Sequence, residues 1–519
     1  GDRMTQLDVP TALDAGADAA VDSGLDAGRP HHRDVLAQRR QERTARVEPR
    51  GRRVNTARER AHLLVDEGTF VEISPLRTAG PSSGSGVVIG WGLVGGRPVV
   101  VASHDAAVAS GAIGAVFAET VQRAQRIAID RGHPIVYIND SGGARIHDGI
   151  HALHGCGGIF ANNVEASRKI PQISLILGPC AGAAAYSPAL TDWTIMVKEQ
   201  GQMFLTGPEI VRAATGEDAT ADEIGGSGMH TRTSGVAHLE VDDEQAALDA
   251  ARGILSFLPS HVGGPQALVE PVPARPDAVA RLPHVVPDKS SIVFDMHEVL
   301  DGVLDDRPRL ELSPEHAPSV LTVLAHLDGR PVGIIANQPK ARGGILDAKA
   351  SVKASRFVDF CARYGLPVLT FVDVPGFLPG TVEEGRGVIT QGATMLRAYV
   401  EAQSPVLTVV VRKAYGGAYI AMGSRSLGAD FTWAWSGSEI AVMGPGGAVA
   451  LLHRRALKDA EDPDALRDEL AAEYRENVAR PYLAAEAGIL DDVIVAEETR
   501  DRMVQALGVL APRAQGAQA

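Results

Sequence analysis

Cysteine is scarce. The 519 residues hold three, Cys156, Cys180 and Cys361, an odd number without Cys-x-x-Cys spacing. That excludes a disulfide framework and a four-cysteine zinc ribbon, and predicts a cytoplasmic chain. Long apolar runs are lacking too: no stretch reaches the ~18 uninterrupted apolar residues of a membrane span. The first residues offer Asp, Ala and Gly rather than a basic start followed by an apolar run, so neither a membrane association nor a secretory signal is expected. Basic charge is in deficit, with 50 Lys+Arg against 64 Asp+Glu and a net charge of −14, which argues against a nucleic-acid-binding surface. No Walker A pattern occurs, so ATP use by this chain is not expected. Residues 1–32 lack bulky apolar side chains at any period and are predicted to be a disordered tail, with a short tail also at 511–519. What is present is 45% apolar, 22% charged and 4% aromatic, a soluble globular composition too long for one compact core.

The Arg-rich segment 39–68 predicts one or two helices, with Ala61, Leu63, Leu64 and Val65 as the apolar face and the charges as a solvated face. Beyond it lies an internal repeat, visible when the chain is slid on itself by 233 positions without a gap. Gly96-Arg97-Pro98-Val99 falls on Gly329-Arg330-Pro331-Val332, Arg123 on Arg356, Asp140 on Asp373 and Tyr186 on Tyr419. In each half a strand, a small-residue loop and a helix precede a Gly-x-Pro and a second strand ending in Asp, PIVYIND (134–140) or PVLTFVD (367–373). A further helix and a third strand follow, QISLILG (172–178) or PVLTVVV (405–411). Continuous apolar strands alternating with helices imply a mostly parallel sheet buried on both faces. The predicted architecture is α/β: two similar domains, 33–267 and 291–510, joined by the Pro-rich linker 268–290, where neither a strand nor a long helix is expected.

Two loops per half carry the chemistry. Asp140-Ser141-Gly142-Gly143-Ala144-Arg145 and Asp373-Val374-Pro375-Gly376-Phe377 end buried strands with small residues, at the sheet edge where ligands bind in open α/β folds. The third strands run into Gly178-Pro179-Cys180-Ala181-Gly182-Ala183-Ala184-Ala185-Tyr186 and Lys413-Ala414-Tyr415-Gly416-Gly417-Ala418-Tyr419. Such strand–turn–helix junctions present free backbone N–H groups to an anionic oxygen, so each is a candidate half of an oxyanion hole. One such turn alone reads as close helix packing on the sheet; four in two symmetric pairs point to function. His147, His151 and His154 are spaced for one helical face, but Gly149 and Gly155 weaken that helix and no metal site is expected. Gly80-Pro81-Ser82-Ser83-Gly84 matches G-x-S-x-G but precedes a strand instead of following one, so it reads as a turn.

At these turns the chain resembles the carboxyltransferase (β) subunits of biotin-dependent acyl-CoA carboxylases of the acetyl- and propionyl-CoA type. The resemblance covers about residues 33–510. It is carried by TARERAHLLVDEGTFVE, INDSGGARI, IPQISLILGPCAGAAAYSPALTDW, MFLTGPEIVRAATGE, IGGSGMHTRTSGVAH, FVDFCARYGLPVLTFVDVPGFLPGT, RKAYGGAYIAMGSRSLGAD and AWSGSEIAVMG. It implies a tandem pair of crotonase-like domains, in agreement with the repeat. It also implies a homo-oligomer, a hexamer built from dimers, whose cleft lies where the N-terminal half of one subunit faces the C-terminal half of another. The implied activity moves CO2 from N1-carboxybiotin to the α-carbon of a short-chain acyl-CoA, acetyl-CoA to malonyl-CoA or propionyl-CoA to methylmalonyl-CoA. Negative charge then develops on a thioester oxygen and on the biotin ureido oxygen, which calls for two oxyanion holes. By the resemblance Gly182 and Ala183 support the thioester enolate, and Gly417 and Ala418 the biotin oxygen. Gly143, Ala144, Gly376 and Phe377 supply further donors, while Tyr419 and Ile420 line the substrate pocket. No side-chain general base is implied. No Met-Lys-Met attachment sequence or ATP-grasp domain is present. Biotin therefore belongs on a separate carrier, the expected partners are a biotin carboxylase and a biotin carrier, and ATP enters only through them.

The chain departs from the family pattern in places. CAGAAAYSPA (180–189) stands where relatives read CAGGAVYSPA, so Ala183 replaces a glycine and adds a methyl near the thioester. VITQGAT (388–394) stands where IIRHGAK or VVRRGAK is usual, losing a basic pair at Thr390 and Gln391 and a lysine at Thr394; Thr120 replaces another lysine. Ile420 occupies a position where acetyl-accepting relatives carry Ile and propionyl-specific ones Asp or Cys, which predicts acetyl-CoA first and propionyl-CoA next. Two alternatives stay open: a biotin-linked acyl-CoA decarboxylase or transcarboxylase using the same site, and a non-catalytic scaffold subunit.

Overall fold

The computed structural model describes residues 31–45, 47–49, 51–80, 84–290 and 292–510. Most of the expected N-terminal tail, the tail at 511–519, and Pro81–Ser83 of the G-x-S-x-G turn lie outside them. The helix His32–Thr44, with the His31 side chain accepting from the Arg33 N–H at its start, belongs to a unit that ends at Ala45. From Arg46 the chain forms one compact body.

In the first half, β1 (Val71–Ile73), β2 (Val87–Val94) and β3 (Arg97–His104) pair antiparallel. β4 (Ile135–Ser141), β5 (Gln172–Ala181), β6 (Trp193–Val197) and β8 (Leu239–Val241) then continue in parallel, and β7 (Gln202–Phe204) joins the end of β5. The second half repeats this plan. β9 (Leu310–Glu311), β10 (Val320–Leu327) and β11 (Arg330–Asn337) are antiparallel, β12 (Val368–Val374), β13 (Val406–Tyr415), β14 (Phe431–Trp435) and β16 (Asp492–Ile494) parallel, and β15 (Glu439–Ala441) joins the end of β13.

Alternation along a strand decides which layer each residue enters. On β4, Ile135 and Tyr137 meet Phe117, Val121 and Ile159 from the helices Ala115–Arg131 and Ile150–Ala166. Val136 and Ile138 face the other layer, with Leu64 of the helix Ala57–Leu64 and Leu248 of the helix Glu244–Phe257. With both faces covered, every residue of β4 and of β12 is buried, as a parallel sheet requires. The halves share that second core: Trp193 at the start of β6 stands edge-on to Phe360 at 4.8 Å, on the helix Ala348–Arg363. Across the same seam Arg363 binds Asp192 at 2.9 Å.

Two expectations change. The stretch 268–290 carries the helix Pro276–Val285, whose Leu282 packs with Met296 and Val299. Pro276 is tolerated because it opens the helix, where its missing N–H has no intrahelical partner, whereas Pro283 forgoes the bond its N–H would give to the Val279 carbonyl and the helix ends two residues later. The repeat is also not gapless. Strand pairing sets Ile135 beside Gln172 in one half and Val368 beside Val406 in the other, so the second half gains one residue between its second and third parallel strands. Gly182 therefore corresponds to Gly416, Ala183 to Gly417, Ala184 to Ala418 and Tyr186 to Ile420. The backbone agrees, with φ +58° at Gly182 and +61° at Gly416. Among the described residues no helix is long and apolar enough to cross a membrane.

Candidate active site

Each parallel sheet ends in a turn shaped by glycine. At the end of β5, Gly182 takes a left-handed conformation, and the short helical turn Gly182–Ala185 begins at once. At the end of β13, Gly416 does the same and the helix Gly416–Ala421 follows. The leading N–H groups of such a turn have no intrahelical partner. Gly417 is exposed, and a side chain there meets nothing closer than the edge of Phe377 at 4.0 Å, so the space before this turn is open. Ala418 is buried, Tyr419 half-buried and Ile420 exposed.

The second loop of each half packs beside its turn. A Cβ on Gly143, φ +98°, stands 2.8 Å from the Ala181 carbonyl oxygen, so only glycine allows this approach. The Ile113 N–H donates to the Gly143 carbonyl and the Arg145 N–H to the Ile113 carbonyl. Leu346 makes the same bridge, to Gly376 and Leu378. A parallel bridge of this form turns the Ala144 and Phe377 N–H groups away from Ile113 and Leu346, where they are free to donate elsewhere. The structure thus brings Gly143 and Ala144 to Gly182, and Phe377 to Gly417, each cluster within its own sheet.

Beneath each loop lies a buried aspartate that sequence reading treated only as the end of a strand. Asp373 binds Arg412 on β13 through two oxygens, at 3.2 and 2.8 Å, and accepts the Lys413 N–H at 3.0 Å. Asp140 is held by Arg53 through two bonds of 2.6 Å and by Arg60 at 3.1 Å; Arg60 also binds Glu244. The difference has a steric cause. Gly178 occupies the place of Arg412, and a Cβ there falls 2.2 Å from the Asp140 carboxylate, so the cation must come from elsewhere. The rest of the frame matches. The Asp140 N–H donates to His104 Nδ1 at 3.3 Å and the Asp373 N–H to Asn337 Oδ1 at 3.1 Å. Gly111 and Gly344 each lie under the aspartate carbonyl, closer than a Cβ permits. Burial lowers His104 to about 4, so it is neutral. The expectation that 39–68 presents a solvated charged face fails at Arg60, which is 1% exposed, because a buried Asp140 needs a counter-charge. A carboxylate ending a strand long and apolar enough to be fully buried was the signal that a buried counter-charge was needed.

The one thiol at these turns is inert. Burial pushes the Cys180 thiol up to about 12, and the thiol donates to the Ala184 carbonyl. Gly149, φ +54°, separates His147 on a short 3-10 turn from His151 and His154 on the next helix. Thr120 is buried and donates to the Val116 carbonyl at 2.6 Å, leaving no room for a lysine's charge. Thr390 and Thr394 are exposed and Gln391 half-buried on the helix Val388–Glu401.

The chain is similar to known proteins over nearly all its length. The family "carboxyl transferase domain" matches residues 46–518. The propionyl-CoA carboxylase carboxyltransferase subunit of Haloferax mediterranei is 46% identical over 499 residues, covering 94% of this chain and 96% of that protein. Methylmalonyl-CoA decarboxylase subunit alpha of Veillonella parvula is 45% identical over 469 residues, covering 88% and 90%. Among solved structures, the transcarboxylase 12S hexamer core with methylmalonyl-coenzyme A bound superposes with a TM-score of 0.88 at 41% identity, covering 96% of this chain and 98% of that one. With two sheets of one crotonase-like plan, each ending in an open glycine turn, this chain belongs to the carboxyl transferase family of enzymes.

Proposed function

We propose that the chain is the carboxyltransferase subunit of an acyl-CoA carboxylase, moving CO2 from N1-carboxybiotin on a separate carrier to the α-carbon of a short-chain acyl-CoA in the cytoplasm. The observation that carries this reading is the pair of repeat-related turns, each opened by a left-handed glycine whose helical turn leads with unpartnered N–H groups. Gly182 and Ala183 hold the thioester oxygen as negative charge develops on it, aided by Gly143 and Ala144. Gly417 and Ala418, with Gly376 and Phe377, do the same for the ureido oxygen. Fixed N–H donors of this kind need no reorganisation when charge appears, and removing one typically costs about 2.7–4 kcal/mol of transition-state stabilisation. The open space before Gly417 fits a planar ureido edge. When bound, the carboxylated ureido group supplies both the CO2 and, after its loss, the base for the α-proton. Ala183 keeps its N–H and sits half-buried, so its methyl narrows the approach without removing the donor.

Apolar side chains stand uncovered beside each turn. Ile146 is 90% exposed and Ile150 71% after the first loop; Ile389 is 75% and Val442 86% near the second. Exposed apolar residues grouped at a site mark a contact surface, and a subunit interface that closes the cleft, within a hexamer built from dimers, accounts for them. The partners are then a biotin carboxylase, which uses ATP, and a biotin carrier. The similarity to a decarboxylase subunit and to transcarboxylase 12S favours a second reading, the same transfer run in reverse or between two acyl groups. ATP-dependent incorporation of labelled bicarbonate into acetyl-, propionyl- and butyryl-CoA, with biotin carboxylase and carrier supplied, tests the first. Labelled product supports the carboxylase reading; release of CO2 from methylmalonyl-CoA onto free carrier, without bicarbonate fixation, favours the second.

A further inference from the structure

A cavity of about 310 Å³ opens on the seam between the halves. Trp193 and His238 line it from the first half, and Lys353, Arg356, Phe360 and Arg363 from the second. It lies beyond the helical turns Gly182–Ala185 and Tyr186–Ala189, at the opposite end of β5 from the turn at Gly182: the Asp192 N–H donates to the carbonyl of Gln172, the first residue of β5. Ala189 on the cavity wall is seven residues from Gly182, about 10–14 Å at ~1.5–2 Å per helical residue.

The cavity wall has positive charge and hydrogen-bond donors left over. Both of its carboxylates belong to Arg363, which binds Asp192 at 2.9 Å and Asp359 at 3.0 Å. Asp192 is further taken by the Tyr364 hydroxyl and the Gln172 N–H. Lys353 donates to the Ser313 and His316 carbonyls at 2.8 and 2.9 Å, and burial lowers its pKa to about 7, so it offers a donor rather than a fixed charge. Arg356, an exposed residue, makes no hydrogen bond or salt bridge among the described residues; burial of its guanidinium lowers its pKa against an opposing pull from the charge of Asp192. His238 Nδ1 accepts the Thr194 N–H at 3.0 Å, which puts the ring hydrogen on Nε2. The Trp193 indole N–H is buried with no partner.

A buried donor without a partner costs free energy, and a negatively charged oxygen group would satisfy the Trp193 N–H while pairing with the Arg356 guanidinium. The guanidinium fork matches a carboxylate or a phosphate. We propose that this seam cavity binds a small oxyanion, a carboxylate or phosphate held by Arg356 against the aromatic wall of Trp193 and Phe360, at a site separate from the carboxyl-transfer turns.

Titration calorimetry on the assembled protein tests it, with inorganic phosphate in one arm and succinate in the other. The expected result is saturable binding of at least one probe, one per chain, weakened about tenfold or more in Arg356→Gln and partly retained in Arg356→Lys. Arg123→Gln is the control: Arg123 is the repeat mate of Arg356, exposed on the helix Ala115–Arg131 and outside the cavity, and its loss leaves binding unchanged. Binding of phosphate alone assigns a phosphate ligand, and of succinate alone an organic acid; either supports the site. No saturable binding in either arm, or undiminished binding in a folded Arg356→Gln, overturns it.

Discussion

Two adjacent glycines separate chemistry from folding. Gly417 is the second residue of the helix Gly416–Ala421; its backbone is not left-handed, and an added Cβ meets only Phe377 at 4.0 Å, an ordinary contact. Valine there leaves the fold intact, and helix propensity changes by only a few tenths of a kcal/mol in its favour. Its methyl groups occupy the space through which an oxygen must approach the N–H. Losing one such donor costs about 2.7–4 kcal/mol, so kcat in bicarbonate incorporation drops by roughly 10²–10³ with Tm unchanged. Gly416 behaves in the opposite way. With φ +61° and a Cβ position 3.2 Å from the Val442 carbonyl oxygen, Gly416→Val forces a left-handed valine and displaces the strand end. That costs about 1–2 kcal/mol of stability before any effect on rate, so Tm falls as well. Labelled-product assays run beside thermal unfolding distinguish the two. If Gly417→Val folds normally and keeps more than about a third of its kcat, the turn is not an oxyanion site.

Arg412→Met leaves the buried Asp373 with Lys413 Nζ, 3.5 Å away, as its remaining counter-charge and lowers unfolding free energy in urea by less than the about 3–5 kcal/mol of a fully unpaired buried charge; adding Asp373→Asn restores part of it, and no restoration would show that the packing of Arg412 over Phe294, not its charge, matters. The hydrogen bond to Glu311, outweighing desolvation and joined by Asp295, raises the His297 pKa above its ordinary 6.5. Its contribution is therefore full below pH 6.5 and fades as pH rises through the folded value, and His297→Gln flattens that slope in Tm measured against pH. Ile420→Asp changes the acetyl-to-propionyl ratio of kcat/KM by an amount worth about 1–3 kcal/mol; an unchanged ratio refutes the pocket assignment. Dilution to single subunits removes transfer activity, and a fully active monomer in ultracentrifugation contradicts the interface.

The fold was legible because its signals are periodic. Apolar strands, Gly-x-Pro punctuation and the doubled order of elements locate β4, β5, β12 and β13 without any contact being known. The turns were legible because small residues after a buried strand have few structural excuses. Hidden from the sequence were the long-range partners. Arg60 looks like one of a dozen solvated charges until Asp140 is seen to be buried 80 positions away. Sliding identity also failed by one residue after β4, since a lone inserted residue in a helix-loop leaves no mark when few positions are identical. Pairing Tyr186 with Tyr419 was a coincidence of side chains; the backbone pairs Tyr186 with Ile420.

The corrected register bears on how one duplicated frame would serve the two oxygens of the proposed transfer. The invariant part is below the surface: a buried aspartate, a glycine under its carbonyl, a left-handed glycine opening each turn. These fix where the N–H groups point. The variable part is what stands beside them. Ala183 in one half faces the place of Gly417 in the other, and Tyr186 the place of Ile420, so one turn is narrowed by a methyl and flanked by a phenol while the other is bare and flanked by an aliphatic chain. Even the hidden charges differ in origin, with two arginines from the N-terminal segment serving Asp140 and Arg412 and Lys413 from the sheet itself serving Asp373. Stabilising the same kind of charge at both turns needs the same backbone, whereas admitting two unlike molecules needs unlike walls, and the repeat divides along that line.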